Sequence, residues 1–426
     1  MRALLLLALG ALGALGCEAT DGERSGPSPT PAPVSTSAEP ARAVQPTPSV
    51  ATCSAACAGL ATVGPIVELS PPHDASSGDS AVTFGGDSWY VAWGGRPAIV
   101  STIQRLTRDG ALDGVARRIE GTTPSSLVYG ERSDGNGELV HVGWVPAAYT
   151  KDGTMSSYHR FSPALAPLGE GYRVQAPGAQ IYGRTLRLLP GGAIADLTLL
   201  NRPLYVAREV ETDPALGGAQ APKQQDWFLP TSPRTGFAHV ERIDGRRLLL
   251  DVERGVLRVS ELGDGGVIGT PVPVLDLEPT DAWGFTLLSA IAGDRWWVGA
   301  VPAKGGPKPV ALRALDRTTR APVGDPIRIQ WPGSGVSLFA IGDTPILHGP
   351  LAGTGAAYQT GIVPIDVQAR ATCPATLLSV AGVAPGSYQG LRAIHVEGEI
   401  AGVTVDVWAP GPRRMFFTRL ACAGRR

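Results

Sequence analysis

A short motif recurs seven times along this chain: a turn containing glycine, followed by an apolar run of strand-forming residues. The glycines that lead it are Gly86, Gly137, Gly192, Gly245, Gly293, Gly342 and Gly398. Their spacings are 51, 55, 53, 48, 49 and 56 residues, with a mean of 52. Glycine readily adopts the positive φ of a tight hairpin turn, so each instance predicts a β-hairpin. A period of this length is typical of arrays of similar small sheets, which leaves few architectures open.

Composition also favours an all-β fold. Hydrophobic residues make up 43% of the chain, and the 55 glycines and 38 prolines indicate many short strands and turns rather than helices. Polar turns lead into further strands within the repeats, for example at residues 105–110 and 313–317. Each repeat thus holds about four strands, the content of one propeller blade. We predict a single β-propeller domain of seven four-stranded blades over residues 53–426; six blades, or tandem β-sandwiches, are the alternatives.

The third repeat fits the pattern least well. Residues 209–233 are polar, with a Gly217-Gly218 pair and an isolated Trp227-Phe228, and we interpret them as an extended loop. Trp227, Trp283 and Trp331 lie near predicted loops and are the candidates for lining a ligand surface, for example by stacking on carbohydrate. The other six tryptophans, Trp408 among them, fall in predicted strands, where packing inside the fold is the default.

The first 16 residues have the organisation of an export signal. Arg2 is followed by an apolar run over residues 3–16, which is shorter than the roughly 20 residues of a membrane-spanning helix. The sequence Ala14-Leu15-Gly16-Cys17 resembles the lipobox of bacterial lipoproteins, and the repeats loosely resemble the propeller-like repeats of bacterial surface lipoproteins. The resemblance implies removal of residues 1–16, a lipid on Cys17 and a location in the bacterial cell envelope. Glu18 after the cysteine implies the outer membrane. An ordinary secretory peptide with a coincidental cysteine is the alternative.

The residues after Cys17 have a different character. Residues 18–52 alternate proline with small residues and contain no aromatic side chain. Such a segment cannot bury enough apolar surface to offset its loss of conformational entropy. We therefore predict that residues 17–52 comprise a lipidated cysteine and a disordered tether, and that the membrane lipid is a partner through Cys17.

Four cysteines remain for disulfide bonds: Cys53 and Cys57 open the predicted domain, and Cys373 and Cys422 lie near its end. An oxidising compartment permits two bridges. Propeller rings often close by pairing an N-terminal strand with the last blade, and residues 66–69 could lie beside residues 414–418. This closure favours Cys57–Cys422 with Cys53–Cys373, and Cys53–Cys57 with Cys373–Cys422 is the alternative.

No motif in the sequence carries an identifiable chemistry. The six histidines are scattered singly, and neither a Gly-x-Ser-x-Gly elbow nor a phosphate-binding glycine loop is present. We predict no catalytic residue, metal or cofactor, and the net charge of −1 argues against nucleic acid. We favour a monomeric binding or scaffolding module for a protein or carbohydrate ligand. The alternative is a hydrolase or lyase with a polar site in the propeller funnel.

Overall fold

A computed structural model describes Cys53, Cys57 and residues 59–423, apart from several internal segments. The segments left out are 70–78, 96–98, 132–134, 146–152, 178–179, 190–192, 202–204, 213–222, 230–237, 279–283, 303–307, 334, 352–359, 379, 381–387 and 409–412. The described residues belong to one compact unit, Ala51–Arg426. They form thirty β-strands, and their single helical segment is a 3-10 turn at Asp264–Gly266.

The strands form seven antiparallel sheets, which we number as blades in chain order. The chain opens with two short strands, β1 (Leu60–Thr62) and β2 (Val67–Glu68). Blade 1 holds β3 (Asp79–Gly85), β4 (Ser88–Gly95), β5 (Val100–Thr107) and β6 (Leu112–Glu120). Blade 2 holds β7 (Thr123–Glu131), β8 (Gly137–Val145), β9 (Gly153–Phe161) and β10 (Tyr172–Pro177). Blade 3 holds β11 (Gln180–Leu188), β12 (Ile194–Asn201), β13 (Tyr205–Thr212) and β14 (Lys223–Phe228).

The remaining blades repeat the same order of pairing. Blade 4 holds β15 (His239–Ile243), β16 (Arg246–Glu253), β17 (Val256–Glu261) and β18 (Val272–Asp276). Blade 5 holds β19 (Phe285–Ala292), β20 (Arg295–Pro302), β21 (Lys308–Asp316) and β22 (Pro322–Trp331). Blade 6 holds β23 (Ser337–Ile341), β24 (Thr344–Pro350), β25 (Thr360–Asp366), β26 (Ala371–Thr372) and β27 (Thr376–Leu377). Blade 7 holds β28 (Tyr388–Glu397), β29 (Ile400–Trp408) and β30 (Arg414–Cys422), with β1 and β2 beside β30.

The seven sheets form a closed ring, so the predicted seven-bladed propeller is confirmed. The first strands of neighbouring blades contact one another on the axial side, from β28 to β3, β7, β11 and β15, and from β19 to β23 and back to β28. Among the leading glycines that the structure describes, five lie at the connection between the first and second strand of a blade: Gly86, Gly245, Gly293, Gly342 and Gly398. Gly137 is the first residue of β8, and Gly192 lies outside the described residues. Gly86 and Gly398, for example, have φ values of 55° and 59°, which explains the residue type at these turns.

The apolar core is divided among the seam regions between blades. Seven buried apolar clusters occur among the described residues, and each joins two neighbouring blades. Leu250 and Trp296, for example, belong to the cluster between blades 4 and 5. Because both faces of a blade are covered, consecutive residues are buried in strands such as β29, whichever face they point to.

The N-terminal strands close the ring by pairing with the last strand of the chain. Val67 pairs with Phe417 as predicted, and Leu60 pairs with Cys422. Two disulfides hold this closure, Cys57–Cys422 and Cys53–Cys373, with Cα–Cα distances of 4.9 and 5.2 Å. This is the pairing that the closure argument favoured over the alternative.

The third repeat corrects one sequence-based expectation. Within the segment interpreted as a loop, Glu209 lies in β13, and Lys223–Phe228 form β14, the fourth strand of blade 3. β14 pairs with β13 from Val206–Phe228 to Glu211–Lys223. An outermost strand needs few buried side chains, so its polar composition concealed it.

Candidate functional site

The tryptophans proposed from the sequence do not form an exposed surface. Trp227 is fully buried in β14, where its Nε1–H donates to the carbonyl of Gly263 at 2.7 Å. Trp331 is buried at the end of β22. The expectation that these two rings line a ligand surface is therefore wrong, because the neighbouring blade covers each of them. Trp283 and Cys17 lie outside the described residues.

One end of the ring is nonetheless rich in aromatic residues. The second and fourth strands of every blade run to this end, and we call it the aromatic end. Five of the nine tryptophans occupy the last three residues of such strands: Trp93, Trp144, Trp227, Trp331 and Trp408. Trp227 nevertheless packs against Gly263 and Arg247, which lie at the other end of blade 4. The opposite end, at which the first strand of each blade turns into the second, we call the hairpin end. The aromatic end is the better candidate for ligand binding because an exposed indole, that of Trp408, supplies contact area there.

Trp408 is exposed at this end. It closes β29 and is 40% exposed, although the sequence predicted a packed side chain. The guanidinium carbon of Arg413 lies 4.6 Å from the Trp408 ring centroid, and that of Arg392 lies 5.9 Å from it. Both distances fit cation–π contacts. The indole is thereby held in a fixed orientation at the surface.

A single buried carboxylate holds both arginines in place. Asp406 is fully buried, and its oxygens accept from Nε of Arg392 at 2.9 Å and from Nε of Arg413 at 2.6 Å. Nη2 of Arg413 also bonds to Asp406. Arg392, whose side chain is 33% exposed, presents part of its guanidinium to solvent.

A β-bulge places Arg392 in this position. The register between β28 and β29 shifts between Leu391 and Ile394, so Arg392 and Ala393 lie in the irregular stretch. The N–H of Ala393 donates to Oγ1 of Thr404 at 2.9 Å. Thr404 is also hydrogen-bonded to Ser80 of blade 1 at 2.7 Å. Bulges re-aim side chains, and this one directs an arginine of the axial strand toward the aromatic end.

The buried histidines lack the properties of general bases. Burial lowers the pKa of His141 to about 3, with a smaller contribution from His159, and it lowers the pKa of His348 to about 4. Both imidazoles are therefore neutral at pH 7, and that of His141 is also fully buried. At the start of β15, His239 Nε2 lies 3.2 Å from Glu241 Oε2, which is the arrangement an enzyme would need for a base and its orienting carboxylate.

Within the described ranges, no group of three or more histidine, cysteine, aspartate or glutamate side chains is placed to hold a metal ion. In the same part of the chain, no helix has the length and apolarity that crossing a membrane requires.

The sequence did contain a signal for Trp408. The residue directly precedes Ala409-Pro410-Gly411-Pro412, a strong turn signal, which places it at the end of a strand. Asp406, two residues earlier, is an acidic residue inside an apolar run and implied a buried ion pair. Its partners, from the preceding strand and the following turn, could not be chosen without the fold.

Comparisons with known proteins support the fold. No family model and no curated protein matches the chain. The polysaccharide lyase Uly1 is similar in structure, with a TM-score of 0.51, 10% identity, and coverage of 82% of this chain and 90% of that one. The propeller domain of the Trilobed protease from Pyrococcus furiosus has a TM-score of 0.43, 10% identity, and coverage of 81% and 94%. Dihydro-heme d1 dehydrogenase NirN in complex with DHE has a TM-score of 0.42, 15% identity, and coverage of 80% and 67%. At these identities the likeness concerns the fold alone.

Proposed function

We propose that this protein is a binding module of the bacterial cell envelope, anchored through a lipid on Cys17, which holds carboxylated carbohydrate at the aromatic end of its propeller. The observation that carries the proposal is the exposed Trp408 flanked by Arg392 and Arg413. An indole face stacks on a sugar ring, and an arginine fork pairs with a carboxylate. The binding unit is a monomer and needs no cofactor.

Binding is favoured over catalysis by how the charged groups are engaged. The carboxylate of Asp406 is held by two guanidiniums, so it is not free to act as a base. The His239–Glu241 pair lies in blade 4, whereas Trp408 lies in blade 7. A cleavage reaction needs its base within hydrogen-bond reach of the reacting group. The propeller fold itself does not decide between a module and an enzyme.

Replacing Trp408 with alanine should weaken binding of oligogalacturonate by about tenfold, on the order of 1.4 kcal/mol. The stacking surface disappears, while the strand pairing of β29 is retained. Isothermal titration calorimetry on detergent-purified full-length protein measures the change. Arg392→Gln should weaken binding of the carboxylated ligand but not of a neutral oligosaccharide of the same length.

Phe228→Ala is the matched control. Phe228 is the exposed last residue of β14 and also lies at the aromatic end, but in blade 3. It should leave oligogalacturonate binding unchanged. Equal affinity of wild type and Trp408→Ala would contradict the proposal. Shortening of the oligosaccharide by the wild-type protein would favour the enzyme alternative instead.

The envelope anchor rests on the N-terminal sequence and has its own test. Cells given radiolabelled palmitate should incorporate label into the wild-type protein, and Cys17→Ala should abolish it, because the acyl acceptor is removed. Cys17→Ala should also move the protein out of the outer-membrane fraction. Label retained by Cys17→Ala would contradict a lipid at this residue, and secretion with an unmodified N-terminus would favour the ordinary signal peptide.

A further inference from the structure

A second cluster of arginines lies at the hairpin end, between blades 3 and 4. Arg242 of β15 and Arg247 of β16 are directly opposite each other in the strand register. Like charges in this arrangement destabilise a sheet unless an anion lies between them. Glu209 of β13 partly fulfils this role: its Oε2 accepts from Nε of Arg247 at 2.6 Å, and its Oε1 contacts Nη2 of Arg242.

A third guanidinium approaches the same place. Arg187 lies near the end of β11, the axial strand of blade 3, and β11 contacts β15. A Cβ atom added at Gly245, in the turn between β15 and β16, would lie 3.2 Å from Nη1 of Arg187. The exposed Arg187 side chain thus reaches across the seam to the turn that carries the other two arginines. It forms no ion pair with any described residue.

The charges of this cluster are not balanced. Arg187, Arg242 and Arg247 carry three positive charges against the buried Glu209. The other carboxylate on the cluster is Asp264, which is 91% exposed and bonds Arg247 at 3.1 Å. Glu241 is the neighbour of Arg242 in β15, where consecutive side chains point to opposite faces, and its carboxylate contacts His239. A positive surplus of one to two charges therefore remains at the seam.

The interior of the cluster contains an unsatisfied donor. The Arg242 side chain is only 7% exposed, and its buried Nε–H has no hydrogen-bond partner among the described residues. A buried donor of a charged group without an acceptor is costly. Burial, with smaller contributions from the charges of Arg247 and Arg187, lowers the pKa of Arg242 to about 10. The surplus positive charge, the unpaired Nε–H and the lowered pKa of Arg242 each indicate that an anion bound here would be stabilising.

We propose that Arg187, Arg242 and Arg247 form a binding site for a tetrahedral oxyanion of the phosphate class at the hairpin end of the seam between blades 3 and 4. Guanidinium forks bind such anions through paired N–H donors. A dianion would neutralise the surplus charge and bring an acceptor close to the buried Arg242. The site lies at the opposite end of the ring from Trp408, so it is independent of the carbohydrate proposal.

Titration of the full-length protein with inorganic phosphate tests the site. Phosphate should raise the melting temperature in a saturable manner, whereas chloride at matched ionic strength should not. Arg187→Gln should weaken phosphate affinity at least about tenfold, on the order of 1.4 kcal/mol. Arg187 is suited to this test because it is exposed and its replacement leaves the Glu209 ion pairs intact. Titration with glycerol phosphate, a phosphate monoester, distinguishes two kinds of site. Binding as tight as that of phosphate, or tighter, indicates a site for a phosphorylated molecule, and weaker binding indicates a site for the free ion.

Two variants serve as controls. Arg118→Gln removes the same charge from an exposed position on β6 and should leave phosphate affinity unchanged. Trp408→Ala should do the same. The proposal would be overturned if phosphate acted no differently from chloride, or if Arg187→Gln bound phosphate as wild type does.

Discussion

Replacing Cys57 and Cys422 together with alanine should lower the free energy of unfolding by about 4 kcal/mol. With Cys53–Cys373 still in place, the second bridge closes an effective loop of about 50 residues, for which loop-closure entropy gives this value. The bridge lies at the strand pairing that closes the ring, since Cys422 also pairs with Leu60 at the edge of blade 7. Urea unfolding of the oxidised proteins measures the difference.

The companion double variant, Cys53→Ala with Cys373→Ala, provides the comparison. It should lose a similar amount, and removal of all four cysteines should lose roughly twice as much, because the closure is then held by strand pairing alone. Addition of a reductant to the wild type opens both bridges and should lower the free energy of unfolding as much as removal of all four cysteines does. An unfolding midpoint that does not respond to either double replacement would show that the bridges do not constrain the ring.

Lowering the pH from 7 to 4 should destabilise the propeller, with His141 alone contributing about 3 kcal/mol. The pKa of His141 is about 3 in the folded protein, well below the ordinary histidine value of 6.5. The unfolded chain therefore binds more protons between these limits, and stability is lost as the pH falls through this window. His348, with a pKa of about 4, acts in the same direction. Thermal unfolding followed across this pH range detects the slope.

His141→Leu separates this effect from general acid denaturation. Neither ring nitrogen of His141 has a hydrogen-bond partner among the described residues, so an apolar replacement gives up no hydrogen bond there. The variant should be at least as stable as wild type at pH 7 and should show a shallower loss toward pH 4. His159→Leu is the comparison variant, because it keeps His141 and removes the adjacent imidazole. The ring centroids of His141 and His159 lie 6.1 Å apart. An identical pH profile for wild type and His141→Leu would contradict the assignment.

The parts of the fold that the sequence predicted are those where local chemistry decides the structure. Gly86 and Gly398 mark hairpins because tight turns require positive φ, and the apolar strands after them must be buried. The closing strand was also predictable, because propeller rings often close by pairing an N-terminal strand with the last blade, and residues 66–69 supply a short, mostly apolar segment for it. β14 was missed since its residues are largely exposed, and the outermost strand β6 has the same character. Such strands are identified by their pairing partners, which sequence does not display.

The candidate site was less accessible for a related reason. Trp227 and Trp408 both end strands at the same end of the ring, yet one is fully buried and the other is 40% exposed. The difference depends on the neighbouring blade: apolar residues and Arg247 of blade 4 pack on Trp227, whereas Trp408 is contacted by Arg392 and Arg413 of its own blade. The bulge that positions Arg392 is likewise a property of the pairing between two strands. Local sequence favours aromatic residues at these positions without saying which of them meets solvent.

Peptide mapping of the non-reduced protein by mass spectrometry tests the closed ring most directly. After cleavage between Cys53 and Cys57, for which a protease that cuts after alanine is suited, we expect two cross-linked species, one joining the peptides of Cys53 and Cys373 and the other joining those of Cys57 and Cys422. Both bridges require the N-terminal strands to lie against the last blades. Recovery of Cys53 bonded to Cys57, together with Cys373 bonded to Cys422, would contradict closure through these bridges.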